Sequence, residues 1–210
     1  MVILQRTGDL SSTTKITVGF SMIAGPLGCL LGWAILMQRA GQGPDFGWFL
    51  SHTLLFTGVV FLVPALAGLR FSLDMRPSQL ADFATGLGIL GALALAGQFA
   101  IDLAVGQLSA SQAEMSTLFK RLSAAPIISL PFQILGPIAF YTGLLILFLL
   151  LLRSRIIPVW VGIVGVTGIL GIGDGALTGN TFVTLVGFFG LWTGFIPIGW
   201  HILRRQLSGG

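Results

Sequence analysis

Residues 140–160 read FYTGLLILFLLLLRSRIIPVW, a nearly uninterrupted apolar stretch in the second half of the sequence and the start of the argument for a membrane protein. An uncharged run of leucine, isoleucine and phenylalanine stops at Arg153-Ser154-Arg155 and restarts as a second apolar run behind Pro158 and Trp160. An apolar run of this length predicts a membrane-spanning helix, and the arginines predict that it ends at the cytoplasmic surface. Pro158 suits the first turn of the next helix, because its missing N–H has no partner to lose there.

The composition extends this prediction to the whole chain. Of 210 residues, 54% are hydrophobic and 9% are charged, whereas soluble domains carry roughly 25% charged residues. The sequence therefore predicts an all-α, polytopic bundle of transmembrane helices with the lipid bilayer around it. The formal net charge is +4, and the basic residues stand in ones and twos between apolar segments. They form no basic stripe, so no nucleic-acid partner is expected.

Six apolar segments are long enough to span a membrane. They form a single transmembrane domain over residues 1–210, with spans near 16–38, 48–69, 79–105, 126–152, 157–172 and 181–203.

The distribution of basic residues predicts the orientation of these spans. On one side lie eight lysines and arginines (Arg6, Lys15, Arg70, Arg76, Arg153, Arg155, Arg204 and Arg205), and on the other lie three (Arg39, Lys120 and Arg121). Positive charge is retained in the cytoplasm, so both termini are predicted to be cytoplasmic.

The longest connection, residues 106–125, is predicted to lie on the outer side between spans 3 and 4. Ser111 and Glu114 have the spacing of a capping box, which predicts the start of a helix. Apolar residues then recur at helical spacing, and basic residues fall on the opposite face; the apolar set is Met115, Leu118, Phe119 and Leu122. We expect a short amphipathic helix that either covers the mouth of the bundle or lies in the lipid interface.

Glycines and prolines within the spans predict how the bundle packs. Gly28 and Gly32 have GxxxG spacing, and glycines recur in the fifth and sixth spans, which favours close helix contacts. Prolines inside spans predict kinks, at Pro64, Pro131, Pro137 and Pro197.

The middle of every span lacks aspartate, glutamate, lysine and arginine. A proton pump, a voltage sensor or a retinal protein needs such buried groups, so these classes are not favoured. The sequence contains neither an H-E-x-x-H zinc motif nor a G-x-S-x-G nucleophile elbow, and Cys29 is its only cysteine. We therefore expect a non-enzymatic protein without a catalytic or metal site.

Three ionisable residues near the outer ends of spans are the candidate ligand-binding residues. His52 lies one turn into the second span, Asp102 lies one turn before the end of the third, and Asp174 lies in the predicted outer turn GIGDGALTGN. A His–Asp pair at this depth can bind a cation, hold a proton or orient a polar ligand. The alternative is an interfacial histidine that reaches water and an aspartate that caps a helix.

The chain resembles a broad group of uncharacterised bacterial six-span membrane proteins that carry a domain of unknown function. The matching segments are GWFLSHTLLFTGVVFLVPALAGL from Gly47, AGQFAIDLAVG from Ala96 and LLLLRSRIIPVWVGIVG from Leu149. On this resemblance, His52 and Asp102 correspond to the group's histidine and aspartate. The resemblance implies a six-span fold in a bacterial cytoplasmic (inner) membrane, and it brings no established activity.

Three functions remain open at this point. The first is an accessory or scaffold subunit, or a binder of a lipid-like or small ligand near the outer face, with other membrane subunits as partners. The second is a transporter of a small solute or ion that uses the His/Asp site. The third is a haem- or pigment-binding subunit that uses His52, alone or with Met37. The cofactor, if there is one, is unknown from the sequence.

Overall fold

The computed structural model describes residues 11–39, 43–73 and 78–207 of the chain. Within these ranges the regular structure is entirely helical, and no residue belongs to a β-strand. Six helical segments are long and apolar enough to cross a membrane, as predicted. Arg6 and Arg76, which contribute to the predicted charge bias, lie outside the described residues.

Five of the six segments are uninterrupted α-helices. They are α1 (Ser12–Gln38), α2 (Phe46–Ser72), α3 (Gln79–Leu108), α7 (Val159–Thr178) and α8 (Thr181–Leu207). The fourth segment, Pro126–Arg153, consists of a single turn α5 (Pro126–Ile128), a π-helical stretch (Ser129–Leu135) and α6 (Gly136–Arg153). The amphipathic helix α4 (Gln112–Ser123) connects α3 to this segment.

The helices begin where the sequence supplies an acceptor for their free N–H groups. Ser11 and Ser78 accept a bond from the backbone N–H three residues on, and Asp45 does the same for Trp48 at 2.7 Å. Ser111 caps α4 as its capping box predicts, since its hydroxyl accepts from the Glu114 N–H at 3.3 Å. These caps satisfy donors that the helix itself leaves free.

The six spanning segments pack into a closed ring in the order α1, α2, α3, α6, α7 and α8, and α8 returns to contact α1. Large side chains fill the interior, among them the fully buried Met22, Leu66, Phe148 and Phe195. Many large apolar side chains remain on the outside, such as Leu90 and Leu177, which are 67% and 90% exposed. Such an apolar exterior is what a lipid environment requires.

Glycines bring neighbouring backbones into contact. A Cβ on Gly168 of α7 would lie 2.5 Å from the Leu191 nitrogen, and one on Gly187 of α8 would lie 2.5 Å from the Ile172 nitrogen. At Gly32 of α1 a Cβ would lie 2.7 Å from the Ser51 carbonyl oxygen. The predicted tight packing through small residues is confirmed at these interfaces.

One prediction about the spans needs correction. The fifth span does not end near residue 172, because α7 continues to Thr178 and stops at Gly179, whose φ of +70° is the left-handed conformation that glycine adopts readily. In the fourth span the backbone is π-helical around Pro131, one of the prolines at which a kink was predicted. Proline has no N–H for the α-helical ladder, so this local change is a physical consequence of its position.

Candidate functional site

His52 and Asp102 meet at the end of the bundle opposite the Arg153–Arg155 turn, which we call the α4 end. His52 lies near the start of α2 and Asp102 near the finish of α3, and these antiparallel neighbours pack together. The His52 Nε2 atom is 3.7 Å from the Asp102 Oδ2 atom. The two side chains are only 4% and 12% exposed, so the pair is buried.

The hydrogen bonds of His52 determine where its proton lies. Its Nδ1 atom is 2.9 Å from the Trp48 carbonyl oxygen and 3.2 Å from the Ser51 hydroxyl oxygen. Because a carbonyl oxygen only accepts, Nδ1 must carry the hydrogen that is donated to it. In the neutral ring Nε2 is then an acceptor, and 3.7 Å is too long for a direct hydrogen bond to Asp102.

Gln98, one helical turn before Asp102 on α3, completes the site. Its side-chain Nε2 donates to the Asp102 Oδ1 atom at 2.7 Å. Its Oε1 atom is buried and accepts no hydrogen bond from the described residues. We use the name acceptor cluster for His52, Asp102 and Gln98, because His52 Nε2, Asp102 Oδ2 and Gln98 Oε1 are three acceptors to which no described residue donates a hydrogen bond.

Trp48 fixes the geometry of the acceptor cluster. Its ring stacks on the His52 imidazole with centroids 3.7 Å apart, and its Nε1 donates to the Asp102 carbonyl oxygen at 3.2 Å. Gly106 leaves the room that the indole needs, since a Cβ there would lie 2.7 Å from Nε1. Trp48 thereby ties α2 to α3 at the level of the pair.

Helix α4 packs over this region. Its Met115 is buried, and the ring of its Phe119 meets the Trp48 ring edge-on with centroids 5.8 Å apart. Lys120 and Arg121 are exposed on its other face. The apolar face of α4 therefore contacts the bundle next to the acceptor cluster.

A surface ion pair lies beside the buried pair. Arg39 Nε is 3.0 Å from Asp45 Oδ1, and the Arg39 guanidinium lies 5.1 Å from the Trp48 ring centroid. The hydrogen bond from Arg39, together with that from the Trp48 backbone N–H, holds the pKa of Asp45 below its usual value. Arg39 is therefore paired with Asp45 rather than with Asp102.

Asp174, the third predicted residue, does not join the pair. It lies in the final turns of α7 rather than in a turn between helices, and its side chain is exposed. Helix α7 packs against α6 and α8, whereas His52 and Asp102 are held by α2 and α3. The structure thus brings together two of the three predicted site residues.

The sequence analysis missed Trp48 and Gln98. Each lies four residues before a predicted site residue, and side chains at this spacing share a helix face. This four-residue spacing is the feature of the sequence from which Trp48 and Gln98 could have been predicted as neighbours of His52 and Asp102. Among the described residues, no group of three or more histidine, cysteine, aspartate or glutamate side chains has the arrangement of a metal site.

No known protein family, curated protein or solved structure matches this chain.

Proposed function

We propose that this chain is a non-enzymatic multi-pass protein of the bacterial cytoplasmic membrane that binds a small polar ligand at the acceptor cluster, near its outer face. One observation carries the proposal, namely that the described residues supply no donor to His52 Nε2, to Asp102 Oδ2 or to the buried Gln98 Oε1 atom. Buried polar groups in proteins are almost always hydrogen-bonded, and an unpaired one costs about 1–3 kcal/mol. A ligand that donates hydrogen bonds would remove this cost, and a chain that keeps such groups inside a membrane bundle has a use for them.

The outer location follows from the charge bias. The sequence predicts eight basic residues on the side of the Arg153–Arg155 turn and three on the other, and this bias supports cytoplasmic termini. Because the spans alternate in direction, the acceptor cluster then lies on the outer side. The bacterial inner membrane is the location that the resemblance to bacterial six-span proteins implies.

In this proposal α4 is a lid over the site. Its Met115 is buried and its Phe119 meets the Trp48 ring, so the part of its apolar face nearest the site packs on the bundle. The Phe119–Trp48 contact links the lid to the residue that positions His52 and Asp102.

Transport of a small solute or ion is the second candidate, and the π-helical stretch favours it. This stretch packs on α3 beside the acceptor cluster, where Gly97 makes room for Phe132; a Cβ on Gly97 would lie 2.6 Å from that ring. Helices that depart from α-geometry next to a polar site are typical of transporters. A pH-dependent flux in proteoliposomes that is abolished by the double substitution His52→Ala and Asp102→Asn would favour transport over binding alone.

Haem or pigment binding is supported less well by the geometry. A metal ligand needs a free ring nitrogen with open space in front of it. His52 Nδ1 is engaged by the Trp48 carbonyl, and Nε2 faces the Asp102 carboxylate at 3.7 Å. A tetrapyrrole at this nitrogen would have to displace α3 from α2. An absorption spectrum of the purified protein tests this directly, and a colourless sample is expected.

A ligand screen tests the proposed function. The protein, in lipid nanodiscs, is heated with a panel of small amines, alcohols, amides, sugars and amino acids. We expect at least one chemical class to raise the melting temperature of the wild type, because a ligand that binds only the native state stabilises it. The same class should leave Asp102→Asn unshifted and should stabilise Asp174→Asn as it does the wild type. A panel without any effect on the wild type, or with equal shifts in both variants, would contradict the proposal.

A further inference from the structure

We infer that the ligand of the acceptor cluster is a small primary ammonium ion, either ammonium itself or a short alkylammonium. This inference rests on the proposed function and names the substrate class of the same site. It follows from three properties of the cluster: the number of free acceptors, the kind of atom that each one is, and the charge around them.

The number of acceptors sets how many donors the ligand must bring. His52 Nε2, Asp102 Oδ2 and Gln98 Oε1 are all without a donor from the described residues. An alcohol offers a single O–H donor and a water molecule offers two, whereas an –NH₃⁺ group carries three N–H donors on one atom. A primary ammonium group therefore brings one N–H donor for each of the three acceptors, and it can bridge His52 Nε2 and Asp102 Oδ2, which lie 3.7 Å apart.

The nitrogen among the acceptors argues against an alkali or alkaline-earth cation. Hard cations of this kind prefer oxygen ligands, and a magnesium or calcium site normally uses several carboxylates and carbonyls. Here one of the three acceptors is the His52 imidazole nitrogen, whose other nitrogen donates to the Trp48 carbonyl. An N–H donor is compatible with nitrogen and oxygen acceptors alike.

The acidic side chain of Asp102 favours a positively charged ligand at this site. Asp102 is the acidic member of the cluster, and its partner His52 is neutral when Nε2 is free to accept. Arg39 is the nearby arginine, and its guanidinium is paired with Asp45 at 3.0 Å. A charge-assisted hydrogen bond between an ammonium and Asp102 would be stronger than a neutral one.

The aromatic surroundings select for N–H donors rather than for a quaternary ammonium. A tetraalkylammonium ion is normally recognised by the open faces of aromatic rings. The Trp48 ring already stacks on His52 with centroids 3.7 Å apart and has the Arg39 guanidinium 5.1 Å from its centroid. The buried site also favours a small headgroup, because Phe119 of α4 lies against the same indole.

A series of cations tests the inference on the unmodified protein. Binding of ammonium, methylammonium, dimethylammonium, tetramethylammonium and sodium chlorides to the full chain in nanodiscs is measured by calorimetry at constant ionic strength. We expect ammonium and methylammonium to bind, dimethylammonium to bind more weakly, and tetramethylammonium and sodium to bind at least about tenfold more weakly than methylammonium. An affinity that rises with methylation, or that is equal for sodium, would overturn the inference.

Substitutions then locate the site. Gln98→Leu and Asp102→Asn should each weaken methylammonium binding about tenfold or more, and the matched control Asp174→Asn should leave it unchanged. Equal binding in all variants that keep a cooperative melting transition would place the ammonium elsewhere and overturn the inference.

The two proposals fail in different ways. If amines give no effect but another class in the ligand screen stabilises the wild type through Asp102, the ammonium inference is wrong and the proposed function stands. If no class has any effect, both are wrong.

Discussion

The α7–α8 interface and the acceptor cluster are both closely packed, yet they use opposite kinds of residue. At the first, glycines such as Gly168 and Gly187 let the two backbones touch. At the second, α2 and α3 enclose a histidine, an aspartate and a glutamine. Close packing of two helices in this bundle therefore does not require buried polar side chains.

The difference supports the proposal that the acceptor cluster binds a ligand. Backbone contact through glycine stabilises a membrane bundle by van der Waals packing and leaves little unsatisfied. The polar side chains of the acceptor cluster are costly to bury, and apolar residues of similar size would pack there at lower cost. If stability were the only requirement, we would expect backbone contact through glycine at the acceptor cluster as well as at the α7–α8 interface.

The largest expected effect comes from adding a methyl group at the α7–α8 interface. In Gly168→Ala the new Cβ would lie 2.5 Å from the Leu191 nitrogen and 2.8 Å from the Gly187 oxygen, and neither backbone atom can move aside easily. We expect a loss of about 1–3 kcal/mol in the free energy of unfolding, measured by denaturation in detergent.

A matched control lies on the same helix. A Cβ on Gly173 would meet no atom within 4 Å, so Gly173→Ala should leave the stability unchanged or slightly raised. Equal destabilisation by the two substitutions would show that the effect comes from the helix itself and not from the interface.

A smaller effect is expected from Gly106→Ala, which acts on the acceptor cluster through Trp48. The new Cβ would lie 2.7 Å from Trp48 Nε1, but an indole can shift more readily than a backbone. The cost should be about 1–2 kcal/mol, accompanied by a change in tryptophan fluorescence. Gly86→Ala, on the same helix and with no atom within 4 Å of its Cβ, is the control. An unchanged fluorescence spectrum in Gly106→Ala would mean that Trp48 is not held as described.

A double-mutant cycle of His52→Leu and Asp102→Asn measures the coupling within the pair. Across membrane helices such polar couplings average about 0.6 kcal/mol and reach about 1.7 kcal/mol. Because the Nε2–Oδ2 distance of 3.7 Å leaves no direct hydrogen bond, we expect a value at or below the average in the absence of ligand. A coupling near the upper limit would mean that the two side chains already satisfy each other, which would weaken the case for a ligand.

The smallest effect is expected at the surface ion pair. In Asp45→Asn the helix cap is kept, because asparagine caps helices well, and the ion pair with Arg39 is lost. The loss should be a few tenths of a kcal/mol, because Asp45 is 54% exposed and solvent screens the pair.

The pH dependence of this effect has a definite sign. Since the pKa of Asp45 is lower in the folded protein, its contribution is present above the ordinary aspartate pKa and is lost as the pH falls through the folded value. The wild type and Asp45→Asn should therefore differ at neutral pH and converge in acid. A difference that grows on acidification would contradict the ion pair.

The sequence predicted the six apolar helices because long uncharged runs such as residues 140–160 leave few alternatives. It also predicted that His52 and Asp102 lie at the same end of the bundle. His52 is near the start of one span and Asp102 is near the end of the next, and consecutive spans run in opposite directions. It misplaced Asp174, because the glycine-rich segment after residue 172 resembles a turn, yet α7 continues to Thr178. It missed Gln98, since an uncharged amide within an apolar run gives no signal until its neighbours are known.

The protonation of the His52 ring tests the central claim most directly. The chain has two histidines, so ¹⁵N-histidine NMR of the protein in nanodiscs gives few signals, and His201→Gln assigns them. We predict that neutral His52 carries its proton on Nδ1, leaves Nε2 unprotonated, and shows an Nε2 shift when a ligand of the acceptor cluster is added. A neutral ring protonated on Nε2 would remove one of the three acceptors and contradict the account.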